Sequence, residues 1–301
     1  MTKIKPTIGI IGTGIIGIPM AKNLIKSKYK VFSYVRDVKK HKKIKKLGLK
    51  IITNIEDFYS QVDILILAVG DTSDVKEILF GKTGLIKHLK IPKIVIDMST
   101  ICPIETIKMS KLLSNNKIKL IDAPVSGGEI GAIEGNLSIM VGGNKSIVKK
   151  IMPILKVLGN KITHIGKSGS GQVAKACNQI IVAQTINAVS EAFLIAEKFN
   201  ADKKNIRQAL LGGFAYSKIL DIHGERILKN SYKPGFKTKL HAKDLRIAKN
   251  ITNRKSLKLK GVNLVTNYMN QCEKEGFSEM DSSVYYKIIK KENKWKKLSN
   301  L

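Results

Sequence analysis

No run of apolar residues in this 301-residue chain approaches the roughly 20 needed to span a membrane; the strongest, ILILAV at 64–69, is strand length. The opening MTKIKP leads straight into a strand, with no apolar h-region of the kind a secretory leader carries. Cysteine is scarce. Cys102, Cys177 and Cys272 form no CxxC pair and no even framework, which excludes a disulfide scaffold and suits free thiols in a reducing cytoplasm. Metal spacing is missing too, because His41, His88, His164, His223 and His241 are scattered; no Ser-His-Asp grouping suggests itself either.

Arginine is also rare, standing only at Arg36, Arg207, Arg226, Arg246 and Arg254, although 54 Lys+Arg against 23 Asp+Glu give a net charge of +31. Such a surplus raises nucleic-acid binding, which phosphate neutralisation drives. Recognition of bases and phosphates favours arginine's bidentate fork, however, and the lysines here are spread over the whole length. The dense stretch 39–50, KKHKKIKKLGLK, reads as a solvated helix face. No specific nucleic-acid or membrane partner is expected.

What is present divides into two textures. Between 7 and about 165, β-rich apolar runs alternate with helical stretches such as 15–27 and 74–88. The strand candidates are 7–12, 30–35, 63–69, 93–98, 118–123, 137–143 and 161–166, with a helix at 153–158. That alternation predicts an α/β Rossmann-type doubly wound sheet. After 168 the strand pattern stops, and the spacing predicts one long helix over 170–199, then helices over 203–211, 215–228, 242–252 and 259–275 and a lysine-rich tail after 287. Asn200 can end the long helix in a left-handed cap and Asp202 can start the next. The expected domains are therefore 1–166, binding a dinucleotide, and 167–301, all-helical.

The first strand runs into Gly12-Thr13-Gly14-Ile15-Ile16-Gly17 and then a helix. Gly12 permits the turn, Gly14 lets a pyrophosphate reach the backbone, and Gly17 lets helix and strand pack closely, with the helix N-terminus facing the phosphates. An acid after the second strand would hold the ribose 2′-hydroxyl of NAD, whereas a cation would take the 2′-phosphate of NADP. Here Val35 stands at the expected acid position and Arg36 follows, with Lys39 and Lys40 nearby, which favours NADP over NAD; Asp37 keeps NAD open.

Two further features carry chemistry. In DAPVSGGEIG (122–131), Ser126, Gly127 and Gly128 offer a hydroxyl and consecutive N–H groups, a nest for a carboxylate, or else a plain glycine turn such as Gly142-Gly143. In GSGQVAKACNQ, Lys175 lies on an apolar stretch, one helical turn from Gln172 and Asn178, with Gln179 beside them. A lysine there either snorkels to solvent or works as a proton donor. Carbonyl reduction needs such a donor, since hydride arriving at carbon leaves negative charge on oxygen.

These motifs together resemble the β-hydroxyacid dehydrogenases, relatives of 6-phosphogluconate dehydrogenase. GTGIIGIPMAKNL is similar to that family's cofactor turn, DMST (97–100) to its second cofactor contact, and DAPVSGG to its substrate loop. GSGQVAKACNQ matches its catalytic-lysine segment, and KPGFKTKLHAKDL (233–245) its late cofactor and substrate segment. The resemblance implies NAD(P)H-dependent reduction of a small carboxylated aldehyde, with Lys175 as general acid and Ser126, Gly127 and Gly128 holding substrate. It also implies Thr100 and Lys243 near the nicotinamide, Asn178 or Gln179 completing the substrate pocket, and a homodimer or homotetramer. Where the family carries Leu-Pro after the fourth strand, this chain has Val69-Gly70, a departure that loosens the cofactor contact the resemblance implies for Val69. A 3-hydroxyisobutyrate-type dehydrogenase activity and a non-catalytic nucleotide-binding role stay open.

Overall fold

The computed structural model describes residues 5–35, 37, 39, 44–45 and 49–293. The chain forms two compact units, Met1–Lys175 and Ala176–Leu301, whose division falls inside one continuous helix.

In the first unit the strands are β1 Ile8–Ile11, β2 Val31–Tyr34, β3 Lys50–Ile52, β4 Ile64–Leu67, β5 Ile94–Asp97, β6 Lys119–Asp122, β7 Val125–Ser126, β8 Ser138–Gly142 and β9 Lys161–Gly166. Helices α1 Gly17–Lys26, α2 Ile55–Ser60, α3 Thr72–Phe80, α4 Pro103–Asn115, α5 Gly128–Glu134 and α6 Lys145–Leu158 connect them. The sheet order is β3-β2-β1-β4-β5-β6-β8-β7, with β9 on β8. The first six strands of that order are all parallel. The chain order reverses between β1 and β4, the switch point at which such sheets bind nucleotides.

Side-chain alternation explains the double winding. Ile64 and Ile66 of β4 enter one buried cluster while Leu65 and Leu67 enter the other, and Ile94 and Ile96 of β5 part from Val95 in the same way. Each face thus presents a continuous aliphatic surface for helices to cover. The sheet is not wholly parallel, however: β8 runs antiparallel to β6 and to β7. Two strands escaped the sequence reading, β3 because it is three half-exposed residues inside a lysine-rich stretch, and β7 because it is two residues before a glycine pair. Helix α6 starts well before the expected 153, since the Asn144 side chain accepts from the N–H groups of Ser146 and Ile147. The expected helical face over 39–50 falls mostly outside the described residues, and Lys50 belongs to β3.

Helix α7, Ser170–Lys198, is 29 residues long, about 44 Å at the α-helical rise. By length and composition it is apolar enough to cross a membrane, which the sequence reading did not anticipate. Its polar residues are mostly uncharged amides and hydroxyls, many of them hydrogen-bonded. Asn200 follows with φ +54° and Asp202 caps the next helix through Lys204 N–H at 2.8 Å.

The second unit continues with α8 Lys203–Leu211, α9 Lys218–Leu228, α10 Thr238–Arg254, α11 Lys260–Lys274 and α12 Tyr285–Glu292. Phe193, Leu245, Met269 and Tyr285 centre its core. The fully buried Asp281 gathers the segment before α10: its Oδ2 accepts from Gly235 N–H at 2.9 Å and Phe236 N–H at 3.1 Å and pairs with Arg226 at 2.5 Å. Its Oδ1 accepts from the Ser283 hydroxyl at 2.7 Å and faces His223 Nδ1 at 3.3 Å. Burial alone would raise this carboxyl, but the His223 contact, Ser283 and Arg226 outweigh it and hold the group far below the usual carboxylate range.

Candidate active site

Gly12, the residue after β1, has φ +107°, and a Cβ there would stand 2.2 Å from the Ala68 carbonyl oxygen. One on Gly17 would stand 1.9 Å from the Gly12 carbonyl oxygen. Both glycines are demanded by the protein's own packing. Gly14 differs: a Cβ on it would meet nothing of the protein within 4 Å. The space over Gly14 suits a ligand's close approach to the backbone, as a pyrophosphate requires. Helix α1 begins there with no side-chain cap on Ile16 and no acid in its first turn, so its dipole favours an anion, although Ile18 N–H already donates to the Gly14 carbonyl oxygen at 3.1 Å and Pro19 carries no N–H. These residues fit a dinucleotide.

Gly12, Thr13 and Gly14 line a cleft of about 430 Å³ with Tyr34, Val35 and Val69. Ile15 is half exposed, and Arg36 lies outside the described residues. Asp37, Asp74 and Glu77 also line the cleft, carboxylates that the sequence reading weighed only at Asp37. Val69 N–H donates to Ser99 Oγ at 3.0 Å, so the departure at 69–70 is tied down through the backbone.

Asp97 ends β5 and Asp122 ends β6 as register partners, both fully buried. Asp97 Oδ1 accepts from Ser99 N–H at 3.0 Å and shapes the loop carrying Thr100. Asp122 Oδ1 accepts from Gly169 N–H at 2.8 Å, and Oδ2 from Gln172 N–H at 3.1 Å. Burial pushes the Asp122 carboxyl up, while the N–H groups of Gly169, Gln172 and Gly171 pull against that. Gly142 is more than the plain turn expected of it, since a Cβ there would lie 2.5 Å from Asp122 Oδ2 and 2.7 Å from Gly171 N. A Cβ on Gly171 would lie 2.3 Å from the Met140 carbonyl oxygen. The root of α7 is therefore seated directly on the ends of β6 and β8.

Lys175 follows one turn later and is only 6 % exposed, so it does not snorkel to bulk solvent. In the substrate-loop candidate, Ser126 ends β7 and Gly127 and Gly128 take φ +133° and +63°, backbone that non-glycine residues rarely adopt.

In the second unit, Gln179 Nε2 donates to Asp244 Oδ2 at 2.7 Å, and Asn178 Nδ2 donates to Gln179 Oε1 at 2.8 Å. Gln179 is thereby engaged in holding Asn178. Lys243 Nζ lies 3.1 Å from Asp244 Oδ1, and Asp244 is 3 % exposed. His241 is fully buried, its Nε2 3.3 Å from the Gln179 carbonyl oxygen and its ring 5.6 Å from that of Phe236, which suits a structural role. Sequence reasoning passed over Asp97, Asp122 and Asp244 inside the motifs it quoted and gave them no role of their own. A carboxylate closing an apolar strand, or sitting on a helix's apolar face, was the available signal in each case. Among the described residues no cluster of three His, Cys, Asp or Glu could hold a metal.

Residues 7–166 match the model of the NAD binding domain of 6-phosphogluconate dehydrogenase, and residues 169–289 that of the NAD-binding domain of NADP-dependent 3-hydroxyisobutyrate dehydrogenase. The 2-hydroxy-3-oxopropionate reductase of Escherichia coli K12 is 41% identical over 94% of this chain and 96% of its own length. The mitochondrial 3-hydroxyisobutyrate dehydrogenase of Rattus norvegicus is 30% identical over 96% of this chain and 88% of its own. A solved Mycobacterium tuberculosis 3-hydroxyisobutyrate dehydrogenase shares the fold with a TM-score of 0.87 at 24% identity, covering 95% of this chain and 99% of that one. With the glycine turn, the sheet order and the all-helical second half accounted for, the chain belongs to the β-hydroxyacid dehydrogenases, NAD(P)-dependent oxidoreductases related to 3-hydroxyisobutyrate dehydrogenase.

Proposed function

We propose that this enzyme reduces 2-hydroxy-3-oxopropionate (tartronate semialdehyde) to D-glycerate, with Lys175 as general acid. The observation that carries the chemistry is a lysine only 6 % exposed on the helix seated against β6 and β8. The choice of substrate draws on the 41% identity to the E. coli reductase. When bound, the nicotinamide coenzyme supplies hydride to the aldehyde carbon. The carbonyl π pair then moves to oxygen, which takes a proton from the Lys175 ammonium; the neutral amine regains one from solvent. Ser126 and the N–H groups of Gly127 and Gly128 hold the substrate carboxylate. Thr100 and Lys243 contact the coenzyme, and Asn178 the substrate, with Gln179 orienting Asn178.

NADPH is the preferred donor in this reading, on the charge of Arg36, whereas Asp37 lining the cleft supports NADH as the alternative. A homodimer or homotetramer completes the proposal, supported by Ile181, Ile195 and Phe199, which are 65%, 63% and 79% exposed; light scattering tests it. Three free thiols support a cytoplasmic setting.

The test is a panel of small aldehyde acids assayed with NADPH and NADH on wild type and Lys175→Ala. Equal rates in both proteins remove the mechanism. Faster turnover of the methyl-branched aldehyde acid whose reduction gives 3-hydroxyisobutyrate, which the rat relative makes the second reading, replaces the substrate.

A further inference from the structure

The side-chain amide of Gln172 closes on the loop that carries Thr100, from both sides. Its Nε2 donates to the Ser99 carbonyl oxygen at 2.8 Å, and its Oε1 accepts from Ile101 N–H at 3.1 Å. The two peptide groups flanking Thr100 are thus held by one amide, at positions more than 70 residues away in sequence. Gln172 itself is 1 % exposed, so both bonds are formed out of water. Its own N–H is fixed by Asp122 Oδ2 at 3.1 Å, and its neighbour Gly171 is wedged against Met140 and Asp122. The same loop reaches onward, since Ser99 Oγ accepts from Val69 N–H at 3.0 Å at the rim of the nucleotide cleft.

We infer that Gln172 is a positioning residue that sets the distance between Thr100, at the hydride-donating end, and Lys175, the proton donor one helical turn further along α7. This rests on the roles proposed above for Thr100 and Lys175. Reduction requires hydride and proton to reach adjacent atoms of one carbonyl, so the two groups must keep a fixed separation. Two routes fix it here. Asp122 anchors the helix root to β6, and the Gln172 amide ties that root to the loop after β5. Methionine at 172 has similar length and volume but can make neither bond. The loop then keeps its Asp97 anchor while losing its register on the lysine.

The experiment compares Gln172→Met, Gln172→Glu and Lys175→Met with wild type in thermal melts, coenzyme fluorescence titration and steady-state kinetics with 4-deuterated coenzyme. In Gln172→Met, kcat should fall roughly 10²-fold, as a misplacement of about 1 Å does. Coenzyme Kd and substrate KM should stay within about threefold, and the deuterium isotope effect on kcat should rise as hydride transfer becomes limiting. Gln172→Glu keeps an acceptor for Ile101 but sets an oxygen against the Ser99 carbonyl oxygen, so its loss should equal or exceed that of methionine; it serves also if the methionine variant fails to fold. A folded Gln172 variant with wild-type kcat overturns the inference. So does a kcat that declines only in step with the folded fraction, with an unchanged isotope effect. Failure of the underlying reading looks different: Lys175→Met would keep full activity.

Discussion

Alanine at Gly12, Gly14 and Gly17 should separate what the fold needs from what the coenzyme needs. A Cβ on Gly12 would press to 2.2 Å from the Ala68 carbonyl oxygen while the residue is held at φ +107°. Left-handed strain costs about 1–3 kcal/mol and overpacking about 1–3 kcal/mol, so Gly12→Ala should lose about 2–6 kcal/mol. At roughly 2–4 °C per kcal/mol for a domain of this size, the melting temperature should drop by roughly 4–24 °C. Gly17→Ala, 1.9 Å from the Gly12 carbonyl oxygen, belongs to the same class. Gly14→Ala meets no protein atom within 4 Å and should stay within about 0.5 kcal/mol of wild type. Its methyl occupies the space that a pyrophosphate would use, so coenzyme Kd should rise at least about tenfold, equivalent to about 1.4 kcal/mol. Differential scanning fluorimetry and quenching titrations with NADPH and NADH read the two effects separately. The reasoning is refuted if Gly14→Ala melts as early as Gly12→Ala, or if it binds coenzyme as tightly as wild type.

Lys175→Met should lower kcat by about 10²–10⁴-fold, or roughly 3–5 kcal/mol, with coenzyme titration unchanged; stopped-flow absorbance at the reduced nicotinamide band measures it. Asp244→Ala removes the contact to Lys243 Nζ at 3.1 Å and the hydrogen bond from Gln179 Nε2 at 2.7 Å, and should cost about 3–5 kcal/mol in urea unfolding, the range for a broken buried pair. Glu197 is governed first by burial, which raises it, but bonds from Lys290, Tyr286 and Lys203 bring it down to about 2. Because the folded value lies below the unfolded one, its contribution is present above the ordinary carboxylate value and is lost as pH falls toward 2. Melts between pH 5 and 2.5 should therefore fall less steeply for Glu197→Gln than for wild type.

The sequence made the glycine turn and the lysine legible because each is a local conflict: glycines where a helix should start, and a cation on an apolar stripe. The aliphatic strands were legible because both sheet faces are covered, giving runs such as ILIL in β4. β7 and the antiparallel course of β8 were not, since two residues carry no periodicity and strand direction is settled by distant pairing. The work of Gln172 was hidden for the same reason. Nothing near it in the chain distinguishes an amide that holds another loop from one that faces water. Gln179 shows the converse, a residue placed by motif in the substrate pocket whose amide is engaged with Asp244 and Asn178.

A Cβ on Gly142 or on Gly171 would stand less than 3.0 Å from Asp122 Oδ2 and from main-chain atoms. The foundation beneath the lysine is thus made of parts that admit almost no substitution, and descendants of this chain cannot alter it by small steps. Diversification has to enter through the surrounding loops, leaving the seat of this helix as an inherited constant.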